Sequence, residues 1–267
     1  MKRRTRAKNS LPVALSIAGS DSGGGAGIQA DLLTFAALGV FGTTAITCLT
    51  AQNPDGVSAV HEAPTEMVRE QIHQVATFFA PAAVKTGMLF SAAIVDVVAT
   101  FAAAHRRTRI VVDPVMVATS GARLLREDAI VALCDRLFPH AALVTPNLDE
   151  AAVLLGRRPA DRGEIVDAAE ELATRFRVPF LLKGGHLEGD RLVDVFARPR
   201  ALPVVHSGRR VHDVDTHGSG CTLSAAVAAL LARGHALEEA VALGRRFLQR
   251  GLKRPLEVRG RRFIAHG

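Results

Sequence analysis

The sequence predicts an α/β protein built on one mainly parallel sheet with helices on both faces. Three observations predict it. Short apolar runs of strand length alternate with segments of helix length from residue 13 to residue 183. Those runs are nearly all apolar rather than alternating, the pattern of parallel strands buried on both sides. Glycines and lone polar residues gather just after the runs, at the strand ends where ligands collect in open sheets of this class.

In order, VALSIA (13–18) reads as a buried strand, followed by a glycine loop and a helix from about Ala26 to Leu38. TTAITCLTA (43–51) is rich in β-branched residues and reads as a strand. A helix spans about Thr65 to Phe79, then AAVKT (82–86) returns as a strand. Residues 91–104 are helical and RIVVD (109–113) is a strand. A helix near 126–135 precedes the strand AALVT (141–145). Helices near 147–155 and 163–176 precede the strand PFLLK (179–183). RLVDVFA and LPVVHS, with turn residues between them, suggest a hairpin or antiparallel edge. Helices at about 218–233 and 236–250 close the pattern. No repeat or linker interrupts it, so 12–250 reads as one domain between a basic tail at 1–11 and another at 251–267.

The chain has 267 residues, 48% of them hydrophobic, which suffices for one large core. It has no Trp or Tyr, so Leu, Val, Ile, Ala and twelve Phe must build that core. The net charge of +7 comes from the ends. Residues 1–10 carry five basic residues and no acid, and 251–267 carry five against Glu257. The body between is mildly acidic. Basic ends without a recognition motif or aromatic stacking set read as solvated tails, so no nucleic-acid partner is expected. The apolar run after the basic start is too short for a signal peptide. No run reaches the ~18 residues that would cross a bilayer. Cys48, Cys134 and Cys221 are scattered and odd in number, which suits a reducing cytoplasm rather than a disulfide framework.

The candidate chemistry lies in the loops. In AGSDSGGGAGIQAD (18–31) glycines let backbone approach a ligand closely, and Asp31 lies one helical turn beyond Gly27. The same loop could be only a tight turn. Gln52 ends a strand with an amide that both donates and accepts, which suits a heterocycle or a cap. Asp113, before Pro114, could organise Mg²⁺ or a turn. Asn147 and Glu150 form a capping-box pattern, with Glu150 also able to face a metal. Lys183, before two glycines, can meet a phosphate as a point charge. In DVDTHGSGCTLSAA (213–226) the backbone N–H groups of Gly218, Ser219, Gly220 and Cys221 open a helix. Free donors and the helix dipole there form an anion site. A thiol in that position is expected below its ordinary pKa of ~8.5, unless Cys221 is only a packing residue.

Taken in order, AGSDSGGGAGIQADLLTFAALGVFGTTAITCLTAQN, KTGML, VVDPVM, TPNLDEA, LLKGGH and DTHGSGCTLSAA resemble the bacterial hydroxymethylpyrimidine/phosphomethylpyrimidine kinases of the ribokinase-like superfamily. The resemblance spans roughly 12–250. It implies a ribokinase-like three-layer sandwich and a cytoplasmic enzyme of thiamine biosynthesis, usually a homodimer. It also implies ATP and Mg²⁺, with phosphorylation of 4-amino-5-hydroxymethyl-2-methylpyrimidine and then of its monophosphate. By resemblance the pyrimidine site falls on Gly19, Ala26, Asp31, Thr50, Gln52, Met88 and Val115, closed by Cys221. Thr50 stands where relatives often carry valine. Asp113 and Glu150 fall on the metal side. Asn147, Lys183 and Thr216 fall on the nucleotide side, with Gly218, Ser219, Gly220 and Cys221 as the catalytic turn. The wider superfamily carries aspartate where this chain has Cys221, which favours a pyrimidine over a sugar. A pyridoxal kinase of the same superfamily is the nearest alternative, and a non-catalytic ligand-binding homologue a further one. The ending VRGRRFIAHG departs from the Gly-His-Gly-Pro-like segment of many relatives.

Overall fold

Neighbouring residues of each central strand face opposite layers, which places a separate apolar core on each side of one sheet. The computed structural model describes residues 10–116, 125–185 and 189–267. The stretches 1–9 and 117–124, and His186 of LLKGGH with the two residues after it, lie outside the described residues.

The first half runs β1 (Val13–Asp21), α1 (Gly27–Ala37), β2 (Phe41–Asn53), β3 (Gly56–Glu62), α2 (Thr65–Phe79), β4 (Ala83–Thr86), α3 (Ala92–Ala104) and β5 (Arg109–Val112). The second half runs α4 (Glu127–Ala132), β6 (Leu143–Val144), α5 (Leu148–Leu155), α6 (Arg162–Phe176), β7 (Phe180–Lys183), β8 (Arg191–Ala197), β9 (Val204–Arg209), α7 (Ser219–Ala232), α8 (Leu237–Lys253), β10 (Leu256–Val258) and β11 (Arg261–Phe263).

The sheet has nine strands in the order β3-β2-β1-β4-β5-β6-β7-β8-β9. From β2 to β7 every neighbouring pair is parallel. β3 at one edge, and β8 and β9 at the other, run antiparallel. Leu15, Val84, Val112, Val144 and Leu182 point into the layer of α2 to α6. Ala14, Ala83, Val111, Leu143 and Leu181 point into the layer of α1, α7 and α8. This is the period-2 alternation of a strand serving two cores at once. α7 is buried from Thr222 to Ala232, as a helix with small residues on all sides requires when it lies against sheet and helices together.

Two segments differ from the sequence expectation. β3 is exposed at every residue, so it shows no inward-facing pattern, yet it pairs with the end of the long β2. The stretch 251–267, expected as a solvated basic tail, is folded. It finishes α8, forms the β10–β11 hairpin and buries Ile264 and Ala265. Its arginines stay outward while the two apolar residues that follow them supply the burial that holds it down.

Candidate active site

The carboxyl ends of β1, β2, β4, β5, β6 and β7 open toward the N-terminus of α7, and nearly all the singled-out residues sit there. β1 ends in a break of register between Ala18 and Ser20, at Gly19. A side chain at Gly19 would meet Cys48 Sγ at 2.7 Å and Met88 Cβ at 3.9 Å, so Gly19 and Met88 line one wall. The loop then bends around Asp21. Its carboxylate accepts N–H from Gly23 and Ala26, both at 2.8 Å, and faces His217 Nε2 at 3.2 Å. Burial raises Asp21, but the bonds from His217, Gly23 and Ala26 outweigh it and hold the carboxyl below its usual range.

Gly218 joins this loop to the start of α7. It adopts φ 78°, and a Cβ there would fall 1.8 Å from the carbonyl oxygen of Gly25. Only glycine combines that backbone with that approach. The turn expected to grip an anion is present, with one correction. The Ser219 amide donates to the Thr216 carbonyl at 3.0 Å, because the chain makes a tight turn over 216–219 before it enters α7. Among the described residues, no acceptor serves the amides of Gly218, Gly220 and Cys221. Those three, not four, are the open donors of the helix end.

Beneath them lies a buried ionic cluster. Asp31 Oδ2 accepts Ser16 Oγ–H at 2.5 Å and Lys85 Nζ–H at 2.9 Å, and both members of the ion pair have no exposed side-chain surface. Burial pulls Lys85 down, but Asp31, Cys221 and Asp113 together hold it above the ordinary lysine range. Asp31 is expected from the sequence to face the acceptor. One oxygen is committed to the cluster, and the other, Oδ1, is buried without a protein partner among the described residues.

Cys221 sits over this cluster, within the charge fields of Lys85, Asp31 and Asp113, and its sulfur accepts the Gly27 N–H. Its expected lowered pKa is not what the structure gives. Burial pushes the thiol up, and Lys85 and Gly27 do not recover the difference, with Asp31 and Asp113 adding to the rise. The helix end lowers a thiol where water is near; here desolvation wins.

On the other side, Lys183 Nζ donates to Asp113 Oδ1 at 3.0 Å, and Ser224 Oγ reaches Asp113 Oδ2 at 3.2 Å. A side chain at Gly220 would stand 3.1 Å from Lys183 Nζ and 3.6 Å from Asp113 Oδ2, so these groups border the anion turn. Asn147 and Glu150 complete a capping box at α5. Asn147 Oδ1 accepts the amides of Asp149 and Glu150, and the Glu150 carboxylate accepts N–H from Asn147 at 2.8 Å and from Met116 at 3.3 Å. Burial pushes Glu150 up to about 7, against the pull of Lys183. Both residues are therefore structural caps first. Among the described residues, no group of three His, Cys, Asp or Glu side chains is arranged to hold a metal ion.

Thr50 and Gln52 lie at the end of β2. Thr50 Oγ1 donates to the Ser20 carbonyl at 2.9 Å, and the Gln52 amide contacts both Thr50 and His217. Val115 stands beside Met116 at φ 42°, a left-handed conformation that is strained for a β-branched residue. Thr216 lies at the mouth of the turn. Sequence reasoning passes over Lys85, Ser16, Asp21 and His217. The signal for Lys85 is a lysine inside a short apolar strand, which demands a buried acid. His217 and Asp21 leave none, since they are 196 positions apart in the chain.

Known proteins share this sequence pattern and fold. The chain is 49% identical over 239 residues to the hydroxymethylpyrimidine/phosphomethylpyrimidine kinase of Rhizobium meliloti, covering 88% of each. The crystal structure of phosphomethylpyrimidine kinase from Clostridium difficile superposes with a TM-score of 0.79 at 36% identity, covering 90% of this chain and 99% of that one. An ADP complex of Bacillus subtilis pyridoxal kinase superposes with a TM-score of 0.88 at 33% identity, covering 96% and 98%. The family profile described as phosphomethylpyrimidine kinase matches residues 21–264. The chain belongs to the phosphomethylpyrimidine kinase family.

Proposed function

We propose that this kinase transfers the γ-phosphoryl group of ATP to the CH₂OH of 4-amino-5-hydroxymethyl-2-methylpyrimidine, and in a second round to the phosphate of that product, in thiamine biosynthesis. The observation that carries the reading is the meeting of three open amides, a thiol and two lysines at one helix end. Phosphoryl transfer asks for positioning and charge stabilisation more than for covalent chemistry. The amides of Gly218, Gly220 and Cys221 are suited to take the charge of the migrating group. Lys183 is held above its ordinary range, because Asp113, Glu150 and Cys221 outweigh burial, so it meets nucleotide phosphate fully charged.

In the first round the alcohol oxygen forms a bond to phosphorus as the bond to the β-phosphate oxygen breaks, and Cys221, in the fraction of enzyme that has lost the thiol proton, takes the proton of the alcohol. In the second round the nucleophile is already anionic and needs no base. Asp31, enclosed with Lys85 and Ser16, would support the acceptor from beneath through that cluster. Gln52, Met88, Gly19, Ala26, Thr50 and Val115 would surround the ring, with Asn147 and Thr216 toward the nucleotide.

Two carboxylates, Asp113 and Glu150, border one ammonium, Lys183. Their oxygens are of the kind Mg²⁺ takes, since it keeps several waters and binds one or two carboxylates besides phosphate. When bound it would neutralise charge on the β- and γ-phosphate oxygens. The three free thiols, one of them at the reacting centre, suit a reducing cytoplasm. No helix among the described residues is long and apolar enough to cross a membrane.

A coupled ADP-release assay with the pyrimidine alcohol, its monophosphate and pyridoxal as separate acceptors tests the reading. Turnover of the first two above the third is expected. Turnover confined to pyridoxal would overturn it. Cys221→Ala should slow the alcohol by ~10²–10⁴-fold, the range of a general base, and the monophosphate much less. Equal losses would make Cys221 a shaping residue only.

A further inference from the structure

We propose that His217 is a positioning residue for the acceptor: a proton on its Nε2 fixes which end of the Gln52 amide faces it, and so which hydrogen-bonding edge the ring meets. This rests on the reading of Gln52 as the residue that contacts the acceptor ring.

The argument begins at Nε2, which lies between two groups. Asp21 Oδ2 is 3.2 Å away and the Gln52 side-chain nitrogen, as placed, 2.9 Å away. A carboxylate offers only lone pairs, so a bare Nε2 facing it would set two lone pairs against each other. Nε2 must carry the proton. An amide NH₂ is also only a donor, so two donors would then meet at 2.9 Å. Exchanging the oxygen and nitrogen of the Gln52 amide removes this conflict, and heavy-atom positions do not distinguish the two arrangements.

Thr50 demands the same exchange independently. Its Oγ1 carries one proton, which goes to the Ser20 carbonyl at 2.9 Å. It has none left for the Gln52 oxygen placed 3.1 Å away, but it has a lone pair that an amide N–H can fill. With the amide exchanged, the Gln52 carbonyl and Asp21 Oδ2 share the one His217 Nε2–H, and the Gln52 NH₂ donates to Thr50. One N–H and one lone pair of the amide then remain for the acceptor ring, in a fixed order.

His217 is itself held at both ends. Its backbone N–H donates to Asp215 Oδ1 at 2.9 Å, and the Asp215 N–H donates to the Arg262 carbonyl at 2.8 Å. A side chain at Gly25 would lie 3.0 Å from the His217 ring, so the absence of one leaves the ring its place. The β10–β11 hairpin thus reaches the end of β2 through Asp215, His217 and Gln52.

Imidazole ¹⁵N–¹H correlation spectra of the substrate-free full chain near pH 8 read the proton directly. The expected pattern has a proton on Nε2 of His217; a proton on Nδ1 alone overturns the proposal, whatever the substrate proves to be. Kinetics give the second readout. His217→Ala should raise KM for the pyrimidine alcohol by roughly 10-fold while KM for ATP changes by less than about 2-fold, as loss of one bond on the acceptor side requires. His217→Gln, whose amide nitrogen can occupy the place of Nε2, should recover most of that loss. Equal rises in both KM values, or no recovery with glutamine, sink the proposal. Failure of the pyrimidine alcohol as a substrate of the unaltered enzyme would instead count against the functional reading and leave the spectra decisive.

Discussion

Lys85 is a full charge with no exposed surface, bonded to a carboxylate that is equally enclosed. Lys85→Met should therefore cost about 3–5 kcal/mol, the penalty for stranding one member of a buried pair, read by urea denaturation. The double change Lys85→Met with Asp31→Leu should recover much of that stability while leaving the enzyme inactive. Cys221 carries a pH prediction. Its thiol is raised by burial, so the alcohol step should accelerate as pH rises above neutrality, while the monophosphate step stays nearly flat. Initial rates with each acceptor, followed from neutral to alkaline pH, check the difference.

Glu150 gives a stability prediction of the same kind. Its folded-state pKa stands at about 7 against an ordinary 4.5. A raised pKa means the folded form holds the proton more tightly. The stabilisation is complete below the unfolded value and is lost as pH rises through about 7. At ~1.4 kcal/mol per pH unit, the loss approaches ~3 kcal/mol. Glu150→Gln, measured without magnesium, should flatten the dependence between the two pKa values; an unchanged slope would place its origin elsewhere.

Elements stand or fall on a few backbone positions. Gly218→Ala adds a methyl where the Gly25 carbonyl oxygen would be 1.8 Å away, in a left-handed conformation. The start of α7 must then shift, and kcat should fall by at least ~10²-fold, as for loss of an oxyanion-type donor, with a lower melting temperature. Most of the elements are legible in the sequence because their apolar runs are buried on both faces, as in Ile110 to Val112 and Phe180 to Leu182. β3 is not, because every residue in it is exposed and it exists only as a partner for the overhang of β2. The site is legible where loops carry unusual residues, as at Cys221 and Gln52. It is not legible where the chemistry is a meeting of distant side chains. Lys85 with Asp31, and His217 with Asp21, are tertiary facts. The thiol's pKa also fails to follow from its place at a helix end, because its burial is set by the tertiary packing around α7 rather than by local sequence.

At the scale of the whole molecule, the β2–β3 ribbon leaves apolar surface uncovered. Leu49, Val57 and Val60 are 52%, 49% and 40% exposed. A second copy of the chain is the expected cover of the face that carries Val60, opposite Thr50 in the register, and Val60→Asp should convert a dimer to a monomer in light scattering. A monomeric unaltered protein would remove the basis for that expectation.

The folded stretch after α8 touches several parts of the centre. Arg261 pairs with Asp55 at the β2–β3 turn, the Arg262 carbonyl holds Asp215, and His266 meets the Thr222 hydroxyl at 3.0 Å. A ribosome delivers these residues after every group they fasten. The glycine loop, the β2 end and the helix that bears the thiol can all leave the exit tunnel and assemble, yet stay unlatched until the hairpin follows. Competence would then arrive in a single step, when the hairpin docks, rather than growing with chain length.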